Sequence, residues 1–188
     1  MVGVRSWATL MDNAELVLLS GSRATGHITK FSDWDYLVFA GKFRTYVDTF
    51  CQLESLHPDE EVHVVWASRK KQFELYRSLC FAKVVSGKPG FYEYILTQVY
   101  PEGKFPTFCE AQILTAESRL DNIQKLWHKP EAVKLITTNL AHQHAKFLSL
   151  ELPASKENLV DCISNWDDME LVLGRARIWV DEIRRELS

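Results

Sequence analysis

The sequence lacks the features that mark several common classes of protein. Its cysteines are widely spaced and form no Cys-x-x-Cys pair, which argues against a zinc site and a disulfide framework. They are Cys51, Cys80, Cys109 and Cys162. No apolar stretch is long enough to cross a bilayer, and the N-terminus lacks the pattern of a signal peptide. We therefore expect a cytoplasmic protein with reduced thiols and no membrane partner.

The sequence also lacks an excess of positive charge. Lysine and arginine number 22 against 25 aspartate and glutamate residues, so the formal net charge is −3. Because no global basic field attracts nucleic acid, RNA is a less favoured partner than a small molecule or a protein. Hydrophobic residues make up 46% of the 188 residues and charged residues 25%, as in a globular protein of one domain or two small ones.

What the sequence does contain is concentrated in residues 21–35, which begin with a turn of small residues. Gly21 and Ser22 follow the apolar run 16–19. Glycine has no Cβ, so the backbone can turn sharply there and approach a phosphate closely. If a helix begins just after Gly21, Ser22 can cap it and its free N–H groups face an anion, while Arg23 adds a charged donor.

The same stretch ends with two carboxylates, Asp33 and Asp35, before the apolar run 36–39. Side chains alternate along a strand, so the two carboxylates point one way and Trp34 points the other. Neighbouring carboxylates repel each other unless a cation lies between them. Hard oxygen ligands of this kind suit Mg²⁺ held together with substrate phosphates. The pattern therefore predicts a nucleotide site with Asp33 and Asp35 as metal ligands.

Residues 21–26 (GSRATG) and 32–38 (SDWDYLV) together resemble the signature of the minimal nucleotidyltransferases, in the DNA polymerase β-like superfamily. The resemblance covers roughly residues 14–85, and the gap between the turn and the aspartates matches the family's own. It implies that the Gly-Ser turn binds NTP phosphates and that the two aspartates bind Mg²⁺. Family members transfer a nucleoside monophosphate to a hydroxyl of an antibiotic, a protein or an RNA end.

The sequence departs from this family at the third acid, which normally lies inside a later apolar strand and helps deprotonate the acceptor hydroxyl. In the candidate strand 61–66, His63 stands at that place between Val62 and Val64. Alternation puts Glu61 on the same face as His63. A neutral histidine can serve as the base. Alternatively, it is a poor substitute that leaves a nucleotide binder without turnover, or simply a half-buried strand histidine.

Apolar periodicity divides the chain into a mixed half and a helical half. Strands are expected at 14–20, 34–39 and 61–66, and helices at 43–54, 68–80, 109–128, 131–150 and 168–187, with a turn at 86–90, a loop at 101–106 and an undecided strand or helix at 92–100. The expected class is α+β. It comprises a nucleotidyltransferase core over residues 1–100, with a small mixed β-sheet flanked by helices, and a C-terminal helical bundle over 107–188 that faces the acceptor or a partner.

The function expected from these residues is Mg²⁺-dependent transfer of a nucleoside monophosphate from an NTP, with ATP the expected donor, to a hydroxyl of a small molecule or protein. The candidate catalytic residues are Asp33, Asp35, Glu61 and His63, and those for the nucleotide are Gly21, Ser22 and Arg23. Two alternatives stay open: a catalytically degraded relative that binds nucleotide or a protein partner, and a vestigial site in an interaction protein. An oligomer is compatible with the sequence.

Overall fold

The computed structural model describes residues 14–67 and 79–188, in two compact units, Met1–Phe105 and Pro106–Ser188. The first contains β1 (Leu16–Ser20), α1 (Gly21–Thr25), β2 (Trp34–Phe39), α2 (Phe43–Leu56), β3 (Val62–Ala67), a short 3₁₀ helix (Leu79–Phe81), β4 (Lys83–Gly87) and α3 (Phe91–Val99). The second contains α4 (Phe108–Lys125), α5 (Pro130–Phe147), a 3₁₀ helix (Glu157–Val160) and α6 (Met169–Leu187). The α+β class with a small mixed sheet is thereby confirmed.

The four strands form one sheet in the order β3-β2-β1-β4. β1 runs antiparallel to β2 and β4, whereas β2 and β3 run parallel and are joined by the crossover helix α2. The register sets Asp35 opposite Ser20 on one side and opposite His63 on the other. Three segments that are separate in sequence therefore meet at the beginning of β2.

The middle of the sheet is covered on both faces, which explains the continuous apolar run in β2. On one face, Tyr36 and Val38 belong to a buried cluster with Leu53 of α2. On the other, Phe39 belongs to a cluster with Ile95 of α3. Because strand side chains alternate, Asp35 shares its face with Phe39 and lies opposite to the α2 side.

Most elements expected from the sequence are confirmed: β1, β2, α2 and β3 begin and end within two residues of their expected bounds, and α4, α5 and α6 within three. The turn expected at 86–90 is partly wrong, because Ser86 and Gly87 belong to β4. The window 92–100 is helical, as α3 buries Ile95 against the sheet. The helix expected at 68–80 lies outside the described residues, except for its last two, which begin the 3₁₀ helix.

The second unit packs α4, α5 and α6 around one apolar core, which includes Leu140, Trp179 and Ile183. α4 begins with a reciprocal capping box between Thr107 and Glu110. No helix in the described ranges, 14–67 and 79–188, combines the length and apolar content needed to cross a bilayer. All four cysteines of the chain are free thiols.

A polar network also joins α4 to α5. Arg119 Nη1 donates to the backbone oxygen of Asn139 at 3.1 Å and to Gln143 Oε1 at 2.8 Å, and Gln143 Nε2 donates to the backbone oxygen of Gln112 at 2.9 Å. Lys146 lies near this arginine. Burial, together with the charge of Arg119, lowers the pKa of Lys146 to about 8. The folded unit therefore keeps a partly desolvated cation at neutral pH at a cost in stability.

Replacement of Lys146 with methionine is expected to raise the free energy of unfolding by about 1–2 kcal/mol at pH 7, since it removes that cost and keeps the aliphatic packing. Between pH 8 and the unfolded value of 10.5, the unfolded wild type binds more protons than the folded one, so its stability rises with pH. The advantage of the variant should therefore shrink from pH 7 to pH 10 in urea unfolding experiments. Lys134→Met, at an exposed position of the same helix, is the control. An advantage that does not change with pH would contradict the prediction.

Candidate functional site

The candidate site lies where the loop before β2, the beginning of β2 and the beginning of β3 come together. Asp33 immediately precedes β2, and Asp35 is its second residue. His63 is the second residue of β3 and is paired with Asp35 across the parallel ladder. Glu61 immediately precedes β3, two residues from His63 and hence on its face. The structure thus brings together all four side chains that the sequence nominated for catalysis.

His63 is the centre of this cluster, because its two ring nitrogens face different carboxylates. Nδ1 lies 2.9 Å from Asp33 Oδ2 and 3.8 Å from Asp35 Oδ1. Nε2 lies 2.9 Å from Glu61 Oε1. Half of the His63 side chain is exposed, whereas the Asp33 side chain is 16% exposed. The imidazole therefore lies at the open side of the cluster, over the carboxylates of β2.

Gly21 closes the cluster from the end of β1. Its φ of +66° is in the left-handed region that favours glycine. A Cβ at this position would lie 2.2 Å from Asp35 Oδ2, far inside contact distance. In addition, Ser20 Oγ donates to the backbone oxygen of Asp35 at 3.2 Å. The turn therefore fits against the Asp35 carboxylate, and the fit requires a residue without a side chain.

Ser22 does not cap the helix that follows the turn, so this expectation is wrong. α1 begins one residue earlier, at Gly21, with Ser20 at the N-cap and no side-chain capping bond. The Ser22 hydroxyl donates instead to Ser32 Oγ at 2.8 Å, and Ser32 Oγ also accepts from the Thr29 backbone N–H at 2.8 Å. These hydroxyl contacts hold the loop that contains Asp33 and leads into β2.

Arg23 makes several contacts that hold the same loop. Its Nε donates to the Asp33 backbone oxygen at 3.2 Å, and Nη2 donates to the Ser32 backbone oxygen at 3.0 Å. Nη2 is also paired with the Glu60 carboxylate. The guanidinium carbon lies 4.3 Å from the centre of the Trp34 ring. The sequence suggested Arg23 as a hydrogen-bond donor to phosphate. In this structure, its contacts are those of a residue that positions Asp33.

The aromatic stack beneath Arg23 continues on the α2 side of the sheet. The Trp34 ring lies 3.9 Å from the His57 ring, centre to centre, and His57 Nε2 is 2.9 Å from the hydroxyl of Tyr36. Burial lowers the pKa of His57 and raises that of Tyr36 to about 12. Both groups are therefore neutral near pH 7, and the phenol and the imidazole are joined by a hydrogen bond between neutral partners.

A cavity of about 220 Å³ opens beside the carboxylates. It is lined by Ser20, Gly21, Asp35, Tyr36, Leu37, His63, Val65 and Leu79. The lining combines polar residues, among them Asp35 and His63, with apolar ones such as Leu37 and Val65. Such a mixture is typical of small-molecule sites, in which a few polar groups orient a ligand against an apolar wall.

The donor atoms of the cluster suit a divalent cation. Asp33, Glu61 and His63 each offer a ligand atom, and these atoms all lie within 4.8 Å of one another. Asp35 lies beside this group, with its Oδ1 3.8 Å from His63 Nδ1. Carboxylate oxygens bind Mg²⁺ and Mn²⁺, and imidazole adds affinity for transition metals.

Two contributors to the site were not nominated from the sequence. Glu60 holds the guanidinium of Arg23, but in the sequence it is one of three consecutive acids, from Asp59 to Glu61, with nothing to distinguish it. Ser32 belongs to the motif, and only the geometry reveals that its hydroxyl joins Ser22 to the backbone of Thr29. Pairing between residues distant in sequence leaves no local signal.

The chain has no significant match among protein-family models, curated proteins or solved structures. Any functional assignment therefore depends on the residues and distances described above.

Proposed function

We propose that this chain is a nucleotidyltransferase with a polymerase β-like core, which transfers a nucleoside monophosphate from an NTP to a hydroxyl group and releases pyrophosphate. A divalent cation, Mg²⁺ in the first instance, is the cofactor, and ATP is the expected donor. A hydroxyl-bearing small molecule or protein is the expected acceptor, because the formal net charge is −3 and gives no general attraction for RNA.

One observation carries this proposal: a side-chain-free turn lies directly against one of two paired carboxylates. Gly21 has no Cβ to collide with Asp35 Oδ2, and Asp33 and Asp35 both approach His63 Nδ1. A surface Asp-x-Asp needs neither the glycine turn nor the third group on a neighbouring strand. A site that places phosphates on a turn beside metal-binding carboxylates needs both.

The proposed reaction assigns a task to each group. The acceptor oxygen forms a bond to the α-phosphorus of the NTP, the bond from that phosphorus to the bridging oxygen breaks, and pyrophosphate leaves with the bonding electrons. The hydroxyl proton passes to the exposed pair of Glu61 and His63. Asp33 and Asp35 would hold the cation, which when bound would neutralise phosphate charge and acidify the attacking hydroxyl. The backbone at Gly21 approaches the phosphates, and Arg23 positions Asp33.

A second candidate function is nucleotide binding without turnover, and the position of His63 favours it. His63 Nδ1 is 2.9 Å from Asp33 Oδ2, so the ring occupies the place beside this carboxylate that a cation would otherwise take. In that case, the chain would bind nucleotide weakly or with little dependence on Mg²⁺, and act as a sensor or partner protein.

Calorimetric titration of ATP, GTP, CTP and UTP, each with and without Mg²⁺, tests the proposed function. We expect one nucleotide to bind in the presence of Mg²⁺, and the affinity to fall at least about tenfold in Asp35→Asn, since a charge at the metal is lost. Asp48→Asn, an exposed acid of α2 that is 4.0 Å from Arg44, is the matched control.

The outcomes separate the two candidate functions. Mg²⁺-dependent binding, followed by pyrophosphate release when hydroxyl acceptors are supplied with labelled NTP, supports the transferase. Binding that is insensitive to Mg²⁺ and to Asp35→Asn supports the inactive binder. If no nucleotide binds, both candidate functions are excluded and the site is vestigial.

A further inference from the structure

We infer that His63 is a direct metal ligand through Nδ1, completing an Asp33, Asp35 and His63 donor set that prefers a transition-metal cation such as Mn²⁺ to Mg²⁺. Glu61 is the positioning residue that orients the imidazole. The inference concerns metal binding by the chain alone and needs no nucleotide.

The two ring nitrogens of His63 face different carboxylates. Nδ1 faces both aspartates, at 2.9 Å from Asp33 Oδ2 and 3.8 Å from Asp35 Oδ1. Ligand atoms that share one cation with bonds of about 2.1 Å lie about 3 Å apart or slightly more. His63 Nδ1 and Asp33 Oδ2 therefore already have about the separation of two ligands of one cation, and rotation of the Asp35 side chain would bring its carboxylate to the same ion.

Glu61 contacts the edge of the His63 ring that lies away from the aspartates. Its Oε1 lies 2.9 Å from His63 Nε2, whereas the aspartates face Nδ1. A single cation uses one nitrogen of an imidazole, so an ion bound through Nδ1 leaves Glu61 at the other edge of the ring. A histidine bound to metal commonly donates its other ring N–H to a carboxylate, which fixes its tautomer and orientation. Glu61 has this relation to His63.

The ligand types of the donor set decide which metal ions it prefers. Mg²⁺ prefers oxygen ligands alone and loses its waters reluctantly. Imidazole nitrogen instead suits transition metals, whose affinity for a given site rises from Mn²⁺ to Cu²⁺. With two carboxylates and one imidazole, the site differs from an all-carboxylate one by a single ligand. That difference favours transition metals over Mg²⁺.

This assignment also refines the proposed function, and to that extent rests on it. If Nδ1 binds the cation, the imidazole is no longer the base for the acceptor hydroxyl. The proton then passes to the Glu61 carboxylate, whose side chain is 73% exposed and has a second oxygen available. His63 is therefore a ligand in the place of the usual third acid, and the reaction is expected to run faster with Mn²⁺ than with Mg²⁺.

The test measures Mn²⁺ binding to the full chain without nucleotide, from the signal of free Mn²⁺ in electron paramagnetic resonance, with Mg²⁺ as competitor. Mn²⁺ should bind at least tenfold more tightly than Mg²⁺. His63→Ala should weaken Mn²⁺ binding at least tenfold, and Glu61→Gln by about tenfold. Since oxygen sites also tend to prefer Mn²⁺, the decisive variant is His63→Asp, which should bring the ratio of the two affinities down towards that of an all-oxygen site.

A spectroscopic readout separates a ligand from a residue that only supports the fold. Pulsed paramagnetic resonance of bound Mn²⁺ should show coupling to an imidazole nitrogen in the wild type and in His128→Ala, where an exposed histidine of the second unit is removed. The coupling should be absent in His63→Asp. Bound Mn²⁺ without nitrogen coupling in the wild type, or Mn²⁺ affinity unchanged in His63→Ala, would overturn the inference.

The two proposals can fail separately. If bound Mn²⁺ shows nitrogen coupling but the chain binds no nucleotide, the proposed transferase function is excluded and the proposed metal site is supported. Conversely, Mg²⁺-dependent nucleotide binding with no nitrogen coupling would keep the transferase and remove His63 from the ligands. Absence of both metal and nucleotide binding would remove both.

Discussion

Replacement of Gly21 with alanine is expected to abolish metal-dependent nucleotide binding, with a loss of at least about a hundredfold in affinity. The new Cβ would lie 2.2 Å from Asp35 Oδ2, so the carboxylate must leave its place. The positive φ of +66° adds about 1–2 kcal/mol of backbone strain. Calorimetry with nucleotide and Mg²⁺ measures the first effect, and urea unfolding measures the second.

Gly26 provides a matched control for the Gly21 substitution. Its φ is +83°, also in the left-handed region, but nothing lies within 4 Å of the place of a Cβ. Gly26→Ala should therefore show the backbone strain with little change in affinity. In an Asp35→Ala background, Gly21→Ala should destabilise less than in the wild type, because the colliding carboxylate is gone. Equal affinities of the two glycine variants would contradict the proposed contact.

Replacement of Arg23 with alanine is expected to lower the free energy of unfolding by about 2–4 kcal/mol. The variant loses two hydrogen bonds to the backbone of 32–33, the pair with Glu60 and the contact with the Trp34 ring. Because Asp33 is then no longer held, the affinity for Mn²⁺ without nucleotide should also fall, by roughly tenfold. Arg23→Lys should recover little, since an ammonium cannot reproduce the planar fork.

The nucleotide-free measurement separates two roles for Arg23. A residue that only contacts phosphate would weaken NTP binding in Arg23→Ala and leave the affinity for Mn²⁺ unchanged. A residue that positions Asp33 lowers both. Arg44→Ala is the control, because the Arg44 side chain is 92% exposed and is paired only loosely with Asp48, at 4.0 Å. This control should change the stability by less than about 0.5 kcal/mol.

The parts of the fold that sequence reasoning predicted are those with a strong local pattern. β2 is a continuous apolar run, and α2 repeats its apolar residues at helical spacing. β4 was missed because it is a short edge strand with exposed residues at both ends, and its last residue is glycine. α3 is rich in residues that favour strands, and only packing of Ile95 against the sheet decides for a helix.

The site, like the fold, was predictable where a local sequence pattern exists. Strand alternation was enough to put Asp33 and Asp35 on one face of their strand and Glu61 and His63 on one face of theirs, but it says nothing about which atoms face each other. That Glu61 contacts Nε2 while the aspartates face Nδ1 depends on the register of β2 and β3. Likewise, Arg23 looked available for phosphate, because its contacts come from a loop and from Glu60 beyond α2. Contacts between distant segments decide these roles.

The strand order also has a consequence for how the cluster assembles during folding. The chain between β1 and β2 is short, whereas the chain between β1 and β4, the other strand that pairs with β1, is much longer. Closing the shorter loop costs less chain entropy, so the pairing that sets Ser20 opposite Asp35 is favoured early. It gathers two like charges before any compensating group has arrived. The docking of β3 then brings the His63 ring to 2.9 Å from Asp33 Oδ2, and this contact helps to fix the strand in register.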